Sequence, residues 1–146
     1  MDQEDGAAIL ELALLLPVLV LTVGSMVSYV FWAQQAMQVQ DAAAAAAAYG
    51  AIQGNATDSA TMTAIANYCA TGTVNGSSAF SVQPTNYYSC SSGGAHVSGS
   101  SSCSGGTAPT HYVQVNTSST PSAVWSFPGI PSSLTVSGLS IYRVSP

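Results

Sequence analysis

Charge is almost absent from this chain: of its 146 residues one is Arg, none is Lys and six are Asp or Glu. A charged fraction of 5% stands against roughly 25% in ordinary soluble domains, so this is no ordinary cytosolic composition. With a single cation there is no basic patch, and nucleic acid is excluded as a partner, because affinity for phosphate backbones comes largely from Lys and Arg releasing counterions. The few charges are also unevenly placed. Asp2, Glu4, Asp5 and Glu11 crowd the N-terminus, and only Asp41, Asp58 and Arg143 follow. The net charge of -5 therefore describes one end of the chain, and the rest is nearly neutral.

Signatures of chemistry are missing as well. The two histidines, His96 in a Ser/Gly-rich loop and His111 at the start of an expected strand, have no HExxH, no neighbouring acid and no cysteine pair at zinc spacing. Both read as solvated or structural. The many serines come in low-complexity runs without a Gly-x-Ser-x-Gly elbow or an activating base. No catalytic residue, metal ligand or cofactor site is expected, and the chain reads as a non-enzyme.

What the chain does have is a long apolar run. Residues 7–32 exceed the roughly 20 residues that cross a ~30 Å hydrocarbon core. Tyr29, Phe31 and Trp32 form the aromatic cluster expected at a headgroup interface, after which the sequence turns polar as AQQAMQVQD. Inside the run sits Glu11. A carboxylate at membrane depth costs roughly 3 kcal/mol on insertion scales and calls for a partner; otherwise it only favours the positive end of the helix dipole. Pro17 removes the amide that would bond to the Ala13 carbonyl and lets the helix bend or open locally.

Helical character continues beyond the interface to about Gly54, through good helix formers that include seven consecutive alanines at 42–48. So small a surface lets a second helix or a sheet approach closely, unless the run is a plain spacer. A short second helix is expected from an Asp58 N-cap to a stop at Gly72. SAFSVQP, HYVQVNT and SLTVSGLSIYRV then alternate in β fashion between Ser, Gly and Pro runs such as FPGIPSS. The expected class is α+β: a leader-like segment 1–6, a long helix 7–54 with its membrane span at 7–32, and a small head at 55–146 with an antiparallel sheet. So few strands need a helix to pack on.

Three cysteines suit an oxidising compartment and allow one disulfide. Cys90 and Cys103 flank a Ser/Gly loop whose closure is worth roughly 3 kcal/mol in the chain-entropy model, and they are the preferred pair, leaving Cys69 as a thiol buried against the long helix. Pairing of Cys69 with either remains open from sequence.

The N-terminal motif resembles a known family. GAAILELALLLP places Glu11 at the fifth position after Gly6 at the start of an apolar helix, as in type IV pilins and pseudopilins. It is most similar to the TadE-like pseudopilins of tight-adherence (Tad) pilus systems, whose segment commonly reads Gly-x-x-x-x-Glu-x-Ala-Leu-x-x-Pro; Pro17 fits the last position. HYVQV and FPGIPSSLTVSGLSIYRV resemble the tail of the same family. The acidic MDQED stands where that family carries Lys or Arg, so orientation rests on the motif and not on the positive-inside rule.

The resemblance implies cleavage by a prepilin peptidase between Gly6 and Ala7, residence in a bacterial inner membrane with the pilus assembly machinery, and then self-assembly into an extracellular filament for adhesion or secretion. Glu11 would face the free amine of a neighbouring subunit, and Pro17 would ease the rearrangement. The alternative function is a monomeric membrane-anchored surface domain that binds a ligand or cell-wall polymer.

Overall fold

The computed structural model describes residues 3–52, 54–71, 80–91, 94–122 and 131–145. Its elements in order are α1 (Gln3–Gly50), α2 (Ser59–Thr71), β1 (Phe80–Ser89), β2 (Thr110–Ser119) and β3 (Val136–Arg143). The three strands form one antiparallel sheet in the order β1-β2-β3, which gives the α+β class expected. The Gly72 stop and residues 127–130 of the FPGIPSS turn lie outside the described residues.

α1 has 48 residues and is about 70 Å long at 1.5 Å per residue. Residues 3–6, read from sequence as a segment preceding the helix, are already its first turn. It ends at Gly50, short of the expected Gly54. A Cβ at Gly50 would stand 2.6 Å from Met62 Sδ and 2.8 Å from Val113 Cγ1, so the helix closes where α2 and the sheet converge on it. The chain then turns through Ile52 N–H to Tyr49 C=O (3.2 Å) and Asn55 N–H to Ile52 C=O (3.0 Å), with Gly54 at φ +90°, a conformation that glycine adopts without strain.

Asp58 caps α2. Its Oδ1 accepts from the Thr61 N–H (3.1 Å) and its Oδ2 from the Tyr49 hydroxyl (3.2 Å), which ties the new helix to the end of α1. The hydrogen bonds from Thr61, side chain and backbone, hold the carboxyl below its ordinary pKa against an opposing desolvation, and the Tyr49 hydroxyl adds a lesser lowering. Met62, Ala66 and Ala70, one i+4 row, turn toward the core. Cys69 lies on the flank of that row and is an exposed free thiol, which corrects the expectation that it is buried against α1.

The core is built on the alanine run. Val39, Ala42, Ala43, Ala46, Ala47 and Gly50 follow helical spacing and are buried, the four alanines fully so. Ala42, Ala46 and Ala47 pack in one cluster with Met62 and Ala66 of α2 and Val113 and Val115 of β2. The run is thus a packing surface within the chain, and the plain-spacer alternative does not describe it.

Close approach between helix and sheet is fixed by three residues. The Thr117 hydroxyl donates to the Val39 carbonyl at 2.8 Å. Gly138 of β3 lies so near that a Cβ there would meet Thr117 Oγ1 and Val39 O at 2.8 Å and Gln40 Cα at 2.9 Å. The Gln40 side-chain amide then pairs with β3 as a strand would, donating to Leu139 C=O (3.0 Å) and accepting from Leu139 N–H (3.2 Å). Farther up, Ser145 N–H bonds to Ala51 C=O at 2.8 Å, so β3 runs alongside α1 in the same direction.

Candidate functional site

From Leu12 to Leu21, α1 is apolar on every side. Leu14, Leu15, Leu16, Val18, Leu19, Val20 and Leu21 cover all azimuths of a helix, and each is 47–75% exposed. A helix that is hydrophobic all round belongs in lipid or against other helices. Among the described residues the stretch Glu11–Gly50 is the one long and apolar enough to cross a membrane. Its hydroxyls are satisfied within the helix: Thr22 donates to Leu19 C=O (2.9 Å), Ser25 to Thr22 C=O (2.8 Å) and Ser28 to Gly24 C=O (3.1 Å). Such back-bonding lets hydroxyls enter hydrocarbon without bare donors.

Glu11 lies exposed near the start of this surface, with Pro17 exposed about two turns above it and the helix continuous between them. Gly6 and Ala7 lie in the first turns of α1. The four residues marked by the motif therefore share one element, and Glu11 and Pro17 are not enclosed by the head.

Sequence reasoning missed where the helix stops being bare. Gly24 and Ser28 are buried, Ser28 to 1% exposure, while Met26 and Tyr29 beside them are about 70% exposed. The indole N–H of Trp32 is out of solvent, and the described residues give it no acceptor. These residues continue downward the face that carries Val39 and the alanines, so one side of the upper end of the expected 7–32 span, from Gly24, is covered inside the chain. A Gly-x-x-x-Ser spacing at 24–28 was the available signal.

At the opposite end, the disulfide joins Cys90 and Cys103 across 5.7 Å between Cα atoms, closing the loop that follows β1. The loop folds back on the strand: Val97 N–H donates to Tyr88 C=O at 2.8 Å, and the His96 ring stacks on Tyr87 at 4.1 Å between centroids. Tyr87 in turn stacks on Tyr112 at 5.7 Å, and on the other face of the sheet His111 stacks on Tyr88 at 4.5 Å. Both histidines are ring-stacking partners, and no group of His, Cys, Asp or Glu among the described residues is arranged to hold a metal.

An open cleft of about 520 Å³ lies at this distal end, lined by residues that include Thr57, Thr110, His111 and Arg143. Cross-strand partners share a face, and Arg143 pairs with Tyr112 whereas His111 pairs with Tyr88. Adjacent positions 111 and 112 point to opposite faces, so by register His111 and Arg143 belong to opposite faces of the sheet, although both line the cleft at its end.

The arrangement that stands out chemically is thus the bare apolar helix with its carboxylate. Comparison with curated proteins and with solved structures gives no match. The helix itself does have one, and the TadE-like resemblance read from GAAILELALLLP is recovered there: residues 6–48 match the family model described as TadE-like protein.

Proposed function

We propose that this chain is a structural subunit of a Tad-type, type IV-like filament. The lower half of α1 holds it in a bacterial inner membrane before assembly and packs against copies of itself, or against other pilins, afterwards. The observation that carries this reading is the helix surface from Leu12 to Leu21, apolar on all sides and uncovered by the head, in the segment that matches the family. Lipid and neighbouring helices are the two environments that satisfy such a surface. Prepilin peptidase acting between Gly6 and Ala7 and the inner-membrane pilus machinery are the partners this implies, and the role has no catalytic step.

Glu11 is assigned to register. A free N-terminal amine of a neighbour, created by the cut after Gly6, would meet the carboxylate within the apolar bundle. Desolvation offsets much of the attraction, so the pair selects geometry more than it adds stability. Glu11→Ala leaves the neighbour's amine buried and unpaired, and the loss is expected in fibre yield, with expression and membrane insertion preserved. The test compares wild type, Glu11→Ala and Glu11→Gln by electron microscopy of material sheared from cells, at matched membrane levels. Normal fibre yield from both variants would remove the pairing, and absence of fibres containing this chain in the wild type would leave a monomeric membrane-anchored surface domain.

A further inference from the structure

The β2–β3 hairpin does not stop where its regular strands do. The hydroxyls of Thr120 and Thr135 meet at 3.4 Å, Leu134 N–H donates to Pro121 C=O at 3.3 Å, and Ser122 bridges to Ser133. All three contacts keep the register of the ladder above them. The hairpin therefore continues toward the N-terminal half of α1 in a known direction.

Its reach can be calibrated within the molecule. Going up from the Gln40–Leu139 pair, the next tie is Ser145 to Ala51. Six strand residues thus run alongside eleven helix residues, about 20 Å against about 17 Å at their respective rises. Six residues in the other direction lead from Leu139 to Ser133, and eleven residues down α1 from Gln40 lead to Tyr29. The end of the hairpin stem accordingly lies level with Tyr29, Phe31 and Trp32. Ser28, at this level, is buried on the face of α1 that also carries Val39 and the alanines.

A hydrocarbon core that starts at Ala7 and takes about 20 residues is left near residue 27. The hairpin stem then stands in the headgroup layer and not in bulk water. It is suited to that layer: no residue between Asp58 and Arg143 is Asp, Glu, Lys or Arg, so no ion has to be desolvated on approach. Leu134, 43% exposed, and Pro121 add apolar surface.

We infer that the membrane-proximal end of this hairpin, 120–122 with 133–135, is a lipid-contact surface that seats the head on the headgroup layer of the membrane α1 crosses. The inference rests on the membrane-held state proposed above and deepens it by fixing the height of the head.

The test uses the full chain in vesicles of phosphatidylethanolamine and phosphatidylglycerol. A nitroxide label is placed at one position at a time, in a Cys69→Ser background, by Ser122→Cys, Ser133→Cys, Leu16→Cys or Thr57→Cys. Power saturation then compares collisions with oxygen, which enters lipid, and with a water-soluble nickel chelate. The label at 16 is expected in hydrocarbon and that at 57 in water. Labels at 122 and 133 are expected to show nickel accessibility several-fold below that at 57. If the label at 16 is deep while those at 122 and 133 match the one at 57, the head stands clear of the membrane and the inference fails alone. If the label at 16 is itself in water, the membrane-held state fails and takes the inference with it.

Discussion

Gly138 shows how much one missing side chain can decide. Its absent Cβ is what lets β3 touch the backbone of α1 at Val39 and Gln40. Gly138→Ala is expected to destabilise the head by roughly 1–3 kcal/mol, the usual range for overpacking a close-packed contact, with a lower thermal midpoint by near-UV circular dichroism and unchanged signal from α1. Asp58 acts through charge. Its pKa is lowered from an ordinary value of 3.8 by the hydrogen bonds it accepts, so its contribution is present at neutral pH and is lost as the pH falls below about 3.8 through the folded-state value. Asp58→Asn should remove that part of the acid sensitivity, which melting curves at pH 7 and pH 3 for both proteins would show. The cap was legible in the sequence because capping is local: an Asp before SATMTAIANYCA is sufficient. Gly138 was not, since a glycine in VSGLS marks a close approach without saying what approaches.

At the scale of elements, α1 is two helices in one. Its stretch from Leu12 to Leu21 is apolar in all directions, and its upper half has a single buried row of mostly small residues. Composition made the first half legible. The seven alanines of the second half carry no periodicity of their own, so the buried row emerged only with the sheet and α2 laid against it. Ala46, fully buried, and Ala48, exposed, now make a matched pair. Ala46→Leu is expected to lower the stability of the head by roughly 1–3 kcal/mol through overpacking, and Ala48→Leu to leave it nearly unchanged, as denaturant titration would measure. Equal effects would mean that the row is not a packing surface. The same limit explains Cys69: helical spacing places it near the inward row of α2, and only the neighbouring elements show that the row is Met62, Ala66 and Ala70 with Cys69 at its flank.

For the molecule as a whole, the candidate site was the most legible part, because a charge inside an apolar run is a contrast that needs no fold to detect. Head geometry was the least legible, since it depends on residues far apart in sequence, such as Gln40 and Leu139. That pair has a consequence for how copies meet. A three-stranded sheet has two open edges, and exposed edges recruit further strands from other chains. Here the Gln40 amide occupies an outward N–H and C=O of β3, and Pro84 sits in the outer strand β1, where proline offers no N–H. Both edges are blunted, so copies crowded together are steered away from zipping their sheets into amyloid-like stacks. Gln40→Ala reopens the β3 edge. Purified protein carrying it should gain thioflavin-T fluorescence on concentration, whereas wild type should stay dark; no difference between them would show that the amide does not guard that edge.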